Sequence, residues 1–320
     1  MACSIWFQSA GTTVAFHLVR AAKRSLGADA RVLAADIHPP HLVAASAFAT
    51  AFHRVERYDD PAYVENMLHR LSKEMPDAYV PIIDEEIVIA ARWREEGRLP
   101  STRWVVPSLR SAEDCLDKLR AGERLDGARV PVPRTESARQ SEASDFPKFV
   151  KPRRGRGSQG AFVANSLVDI SESLRTDDHV IQELCEGPEI TVDVWSTCRE
   201  RRAVGRKRLE TKAGVCTKAE IFEDVELTAL AGRVAAALEL DGLFCFQLMK
   251  SPAAGGRYVV TDVNPRPGAG TSMCTAAGVD LLGAHIAALA GAPPVELGPK
   301  IEGPRFVCRQ FEDFALPPVP

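Results

Sequence analysis

FPKFVKPRRGRGSQGAFV, residues Phe146–Val163, is the stretch on which the reading of the chain turns. Its centre, GRGSQG (Gly155–Gly160), satisfies G-x-G-x-x-G, the spacing of a dinucleotide-binding turn. That fingerprint has meaning only where a strand ends and a helix begins. Upstream, Phe149 alternates with lysines, the pattern of a strand. Downstream, AFVANS (161–166) is strand-like as well. No helix starts at Gly160 to face a pyrophosphate, and no Gly-Lys-Ser/Thr follows, so the dinucleotide and Walker readings both fail. What remains is a glycine loop between two antiparallel strands. Such a loop can fold over a triphosphate and offer it backbone N–H groups. Lys151 stands at its base, where an ammonium would reach phosphate oxygens; the plainer alternative is a solvated lysine at a strand end.

Toward the N-terminus the chain alternates strand and helix signals. SIWF (4–7), RVLAADI (31–37) and DAYVPII (77–83) are short apolar runs. A helical stretch with Val14, Leu18, Val19 and Ala22 on one stripe lies between the first two, and DEEIVIAARWREEG (84–97), with acids in its first turn, follows the third. This alternation predicts a parallel sheet with crossover helices over residues 1–105, a Rossmann-like unit. Gly11 opens a helix after a strand, and Asp36 ends the next strand. One glycine stands where a dinucleotide site wants three, which favours a plain tight turn.

Residues 106–145 read as a helical connector, with Ser111 and Asp114 resembling a capping box and VPVP (130–133) forcing extended chain. Beyond the glycine loop, LVDISESLRT (167–176) reads as helical. DVELTALAGRVAAALELDG (224–242) is amphipathic with Gly242 just past its end, and LFCFQLMK (243–250) and RYVVTDVNPR (257–266) form a hairpin joined by a turn-rich segment. LPPVP (316–320) reads as a tail.

The composition is that of an ordinary globular protein, 45% hydrophobic and 26% charged over 320 residues. No apolar run approaches the ~18 residues of a membrane span, and the start lacks a secretory pattern, so the expectation is a cytoplasmic protein without a membrane partner. Eight cysteines without a C-x-x-C pair point to reduced thiols rather than a zinc site. The net charge of −3 gives no global attraction to nucleic acid. Two basic runs, 151–156 and 199–212, keep that class in view and predict steep salt dependence if it applies.

TDVNPR (Thr261–Arg266) is the sharpest chemical signal. Asp262 and Asn264 lie two apart on a strand and leave the same face. Gln247 on the neighbouring strand can join them, unless the register slips by one residue. Oxygen ligands in that arrangement suit a hard cation shared with phosphates, although Asp-x-Asn taken alone reads more simply as a polar strand end turning at Pro265. QELCEGPE (182–189) adds an extended segment whose backbone could read adenine and a carboxylate, Glu189, for ribose.

Taken in order, DKL (117–119), FPKFVKPRRGRGSQG, QELCEGPEITVDV, FQLM (246–249) and TDVNPRPGAGTS (261–272) resemble the ATP-grasp superfamily over nearly the whole chain. The C-terminal two-thirds is most similar to carbamoyl-phosphate-synthetase halves and small carboxylate–amine ligases. The resemblance implies a Rossmann-like α/β domain followed by a two-lobed module with antiparallel sheets, a small lobe over 146–185 and a large lobe over 186–314, with 315–320 as tail. It implies ATP phosphate contacts from Lys118, Lys151 and the flap residues Gly155, Gly157, Ser158 and Gly160. Adenine would be read by Glu183, Leu184 and Cys185, and ribose by Glu189. Metal ligands would be Gln247, Asp262 and Asn264 for Mg2+, with Mn2+ as substitute. Arg266, with Lys151, would stabilise the transferring phosphoryl group. Two departures stand out: Asp262 replaces the usual glutamate, and Gln247 is neutral.

The implied chemistry is activation of a small-molecule carboxylate by ATP as an acylphosphate, attacked by an amine or other nucleophile, with ADP and phosphate released. An ATP-binding protein of the same fold without ligase activity is the alternative. Arg206, Arg208 and Lys212, and the PGAGTSM segment through Gly268 and Thr271, are positional candidates for the substrate; a solvated basic strand explains the first three equally well. A homodimer is compatible with these expectations.

Overall fold

The computed structural model describes residues 3–27, 29–141, 145–155, 159–212 and 214–316. The chain divides into two compact units: Met1–Ala112 with Arg266–Lys300 and Arg309–Pro320, and Glu113–Pro265 with Ile301–Cys308.

The first unit opens with β1 (Ser4–Phe7), α1 (Thr13–Ser25), β2 (Arg31–Asp36), β3 (Ala51–Arg54), α2 (Tyr63–Glu74), β4 (Ala78–Val80), α3 (Asp84–Glu95) and β5 (Arg103–Trp104). The strands form one parallel sheet in the order β3-β2-β1-β4-β5. All four residues of β1, three of them apolar, are buried because helices cover a parallel sheet on both faces. Trp6, Leu33, Tyr63, Met67, Leu71, Tyr79, Trp93 and Trp104 pack together on one side of it. Helix α1 starts where Thr12 accepts the Ala15 N–H at 3.2 Å, and it buries Val14, Leu18, Val19 and Ala22. Gly11 N–H donates to Asp36 Oδ2 at 2.7 Å, and Asp36 Oδ1 takes the backbone N–H of His38 at 3.0 Å. Asp36 thus ties a tight turn, and a Cβ at Gly11 would meet its carboxylate at 2.9 Å.

α4 (Leu109–Leu116) crosses the division between the units. Its first turn is held by Ser108, whose hydroxyl accepts the Ser111 N–H at 3.1 Å. The cap expected at Ser111 therefore sits three residues earlier, because proline at 107 ends the preceding extended segment there. α5 (Lys118–Gly127) follows at once.

The second unit carries two antiparallel sheets. The smaller joins β6 (Thr135–Ser137), β7 (Lys148–Pro152), β8 (Phe162–Ala164) and β9 (His179–Glu183) in the order β6-β9-β7-β8. Residues 106–145 thus contribute a strand to this sheet as well as helices. β7 and β8 flank the glycine loop and pair antiparallel, Val150 opposite Phe162. Where a helix was expected over 167–176, two single 3-10 turns occur, Leu167–Asp169 and Glu172–Leu174. Asp169 turns back to accept the N–H groups of Asn165 at 2.7 Å and Ser166 at 3.0 Å, a local closure that competes with helix propagation.

The larger sheet contains β10 (Glu186–Ser196), β11 (Arg201–Lys212), β12 (Val215–Phe222), β13 (Gly242–Ser251) and β14 (Arg257–Asn264), ordered β14-β13-β10-β11-β12, with β15 (Arg305–Cys308) at the edge beside β12. α6 (Val225–Leu238) covers one face. Asp224 caps it by accepting the Glu226 N–H at 2.7 Å, and Glu239, at φ 51°, ends it ahead of Gly242. Val192, Val194, Phe244, Phe246, Leu248 and Val263 pack on that face against Leu230, Val234 and Leu238. Directly opposed residues share a face, so the register places Thr191, Asp193, Gln247, Asp262 and Asn264 together on the other side. α7 (Thr271–Ala276) and α8 (Leu281–Leu289) return to the first unit.

No helix among the described residues is long and apolar enough to cross a membrane. None of the eight cysteines is in a disulfide, and four of them are buried.

Candidate active site

In the second unit Lys118, Glu189 and Asp262, three of the charged residues singled out in the sequence, lie close enough to Lys151 to act on its charge. It is the fourth residue of β7 and only 8% exposed. Its Nζ donates to Gln182 Oε1 on the adjacent β9 at 3.1 Å and to the Thr261 carbonyl on β14 at 3.4 Å. Burial lowers its pKa to about 8; the carboxylate of Asp262 pulls it up and the Lys118 ammonium pushes it down. Glu189 also pulls it up.

The contact with Thr261 exists because β14 carries a bulge. From the turn, the ladder pairs Ser251 with Arg257, Lys250 with Tyr258, Met249 with Val259 and Leu248 with Val260; then Gln247 faces Asp262, and Thr261 is left over. An unbroken ladder would set Thr261 opposite Gln247 and Asp262 opposite Phe246, on the apolar face. The extra residue shifts the register by one, a known use of bulges, and brings Asp262 and Gln247 to one face with Asn264. Asn264 Nδ2 approaches Asp262 Oδ2 at 3.4 Å.

Lys118 opens α5 and its Nζ donates to the Gly155 carbonyl at 2.7 Å, at the start of the glycine loop. Beneath it lies a residue the motif reading passed over. Asp117 is fully buried and caps α5 through the N–H groups of Leu119 (3.2 Å) and Arg120 (3.3 Å). Its two oxygens also take Arg153 Nε at 2.7 and 2.8 Å. One carboxylate therefore fixes both the helix that carries Lys118 and the chain leaving β7 toward the loop. The adjacent DKL was legible; that its aspartate looks inward was not. Gly160, with φ 72°, is described, whereas Gly157 and Ser158 lie outside the described residues.

At the segment between β9 and β10, Glu183 spends its carboxylate on the Arg134 N–H (3.0 Å) and on the Ser251 hydroxyl. Leu184 and Cys185 belong to no ladder, so their backbone is left to other partners. Burial, then the charge of Glu183, raises the Cys185 thiol to about 11 and keeps it neutral. Glu189 accepts Arg208 Nη1 at 2.6 Å, while Arg208 Nη2 reaches the Gly214 carbonyl at 2.9 Å. Arg208, a candidate for holding substrate, is thus a partner of Glu189. Arg206 pairs with Asp193 at 3.1 Å, both almost wholly buried. Lys212 extends toward Glu210 at 3.9 Å, well exposed.

Arg266, Gly268 and Thr271 belong to the first unit. There Arg266 Nε donates to Asp84 Oδ1 at 3.0 Å, and Gly268 N–H donates to Thr271 Oγ1 at 2.9 Å.

The two antiparallel sheets thus carry a buried lysine on the strand leading to the glycine segment, an unladdered stretch between β9 and β10, and an oxygen-bearing hairpin. Residues 175–308 match the family model described as ATP-grasp in the biosynthetic pathway with Ter operon. Solved structures extend the likeness to almost the whole chain. N5-carboxyaminoimidazole synthetase from Staphylococcus aureus, complexed with ADP, superposes with a TM-score of 0.72 at 17% identity, over 95% of this chain and 81% of that one.

The chain has the ATP-grasp fold.

A biotin carboxylase from Campylobacter jejuni gives a TM-score of 0.75 at 16% identity, over 97% of this chain and 76% of that one. An L-amino acid ligase from Bacillus licheniformis gives 0.70 at 14%, over 92% and 75%. No curated protein sequence matches. The parallel α/β sheet followed by antiparallel sheets, expected from the sequence, is what this chain contains.

Proposed function

We propose that this ATP-grasp chain is an ATP-dependent ligase that activates a small-molecule carboxylate for attack by an amine or other nucleophile. The single observation that carries the reading is Lys151: a lysine buried at the base of the glycine loop, hydrogen-bonded across to the strand that bears Asp262. A buried ammonium kept at a cost in desolvation fits an anionic occupant. Lys151 and Lys118 would meet the phosphates, with Lys118 exchanging the Gly155 carbonyl for a phosphate oxygen. The backbone of Glu183–Cys185 would read adenine, and Glu189, oriented by Arg208, would hold ribose.

No group of three or more His, Cys, Asp or Glu side chains suited to a metal occurs among the described residues. Asp262, Asn264 and Gln247 nevertheless fit Mg2+ that shares its sphere with phosphate oxygens, because the bulge turns one carboxylate and two amide oxygens to one face. When bound there, the cation would neutralise charge on the β- and γ-phosphates. In the proposed reaction the γ-phosphorus bonds to a carboxylate oxygen as its bond to the ADP oxygen breaks. The nucleophile then attacks the acyl carbon, loses a proton and expels phosphate. Positioning and charge neutralisation carry most of such a reaction, and Arg266 would supply positive charge from the segment directly after Asn264.

The test is ADP release with pooled carboxylic acids and amines, comparing the wild type with Asp262→Asn and Lys151→Ala. Substrate-dependent ADP formation lost in both variants supports the proposal; full activity in both refutes it. The thin carboxylate set favours, as second reading, an ATP-binding protein without ligase activity. MgATP binding by calorimetry with no ADP formed in any pool would establish that one instead.

A further inference from the structure

A cavity of about 340 Å³ opens in the first unit, walled by His53 of β3 and by Asn66, His69, Arg70, Lys73 and Glu74 of α2. None of these residues belongs to the nucleotide site described above. Asn66, Arg70 and Lys73 recur at helical spacing, so one face of α2 supplies them, and the edge strand supplies the imidazole. His53 is held by its ring, stacked on Trp6 with centroids 4.7 Å apart.

Three buried polar atoms here have no hydrogen-bond partner: the nitrogens His53 Nε2 and Arg70 Nε, and the carboxylate oxygen Glu56 Oε2. The nearest acceptor to the first is Glu74 Oε1, at 3.5 Å. Buried polar atoms are nearly always satisfied, and an exception asks for an occupant. The carboxylates nearby do not supply one. Glu74 is engaged by Arg31, which also donates to its backbone carbonyl at 3.3 Å. Glu56 accepts Asn66 Nδ2 at 2.9 Å and lies 3.6 Å from Arg70 Nη2. The wall itself carries two cations, Arg70 and Lys73, against one carboxylate, Glu74, which Arg31 neutralises from outside, with the imidazoles of His53 and His69 besides. The wall favours an anion.

We propose that this cavity binds a small phosphate monoester. The Arg70 guanidinium offers positive charge and N–H donors to a tetrahedral oxyanion, and the exposed Lys73 beside it offers a point charge. The volume falls at the lower end of the range for small organic ligands and exceeds what free phosphate needs. The organic part of the ester fills the remainder.

Calorimetry on the full chain with glycerol 3-phosphate tests the assignment, with glycerol and inorganic phosphate as controls. Saturable one-to-one binding is expected. It should weaken at least tenfold in Arg70→Gln and in Lys73→Ala, and persist in Lys151→Ala. Lys73 is exposed, so that variant keeps the wild-type melting temperature and separates binding from folding. Absence of saturable binding at millimolar ligand overturns the proposal. So does binding lost in Lys151→Ala but kept in Lys73→Ala, or inorganic phosphate binding more tightly than the ester.

Discussion

Lys151 makes a measurable compromise between folding and ligand binding. Its pKa falls from 10.5 to about 8 in the folded chain, chiefly through burial. A shift of roughly 2–3 units corresponds to about 3 kcal/mol. The sign follows from linkage. Because the folded pKa is the lower one, the unfolded chain holds more protons between pH 8 and pH 10.5, so stability rises with pH across that window. The contribution is complete above 10.5 and lost once pH falls through 8. At pH 7 the protonated lysine therefore penalises the fold by about 3 kcal/mol. Replacing it by methionine removes that penalty and forfeits two long hydrogen bonds, at 3.1 and 3.4 Å, which together are worth about 1 kcal/mol. The expected outcome is a Lys151→Met variant about 2 kcal/mol more stable than wild type at pH 7, with the advantage gone near pH 10. Urea denaturation of both proteins at pH 7 and pH 10 measures it, the other lysines being common to both. A gap that stays constant between the two pH values would refute the reasoning, as would a variant that is less stable at pH 7. The same substitution should abolish MgATP binding.

Three further outcomes are expected. Asp117→Asn keeps a competent helix cap but loses the ion pair with Arg153; it should cost about 2–3 kcal/mol and speed tryptic cleavage after Arg153, read by mass spectrometry. Asp193→Ala strands the 3%-exposed guanidinium of Arg206 and should cost about 3–5 kcal/mol, while Asp193→Leu with Arg206→Met recovers most of it in thermal melts. Glu86, buried beneath the Ser9 and Gln8 side chains that donate to it, has its pKa raised by that burial to about 7. The stability it confers is present below pH 4.5 and lost as pH rises through 7. Glu86→Gln should therefore gain on wild type by about 3 kcal/mol between pH 4.5 and pH 8 in denaturant titrations.

Much of the architecture could be read in the residues themselves. The apolar runs of β1, β2 and β4 are buried on both sides, and the period-two pattern around Gly155–Gly160 marks two strands and no helix. Those signals are local, so a single sequence contains them. What escaped was non-local. The pairing of β6 with β9 depends on where the chain returns some 40 residues later. The orientation of Asp262 depends on a one-residue bulge that no residue type announces. Arg208 read as a candidate for substrate because its sign was visible, while its partner, Glu189, sits on another strand. Asp117 had no role of its own in the sequence and proved to hold Arg153, where the chain leaves β7. Helical propensity over 167–176 was overruled by a single aspartate closing on the backbone behind it.

The bulge at Thr261 has one more effect. It resets the ladder four pairs from the hairpin turn, so the pairing at Gln247 and Asp262 does not inherit its phase from the tip. The tip, residues 252–256, is mostly exposed and takes two glycines at positive φ, Gly255 and Gly256. Its length is therefore uncoupled from the geometry of Asp262 and Asn264. A fluorescent or affinity module spliced between those two glycines should leave the carboxylate where it is, which makes this turn a natural graft point for handling the protein.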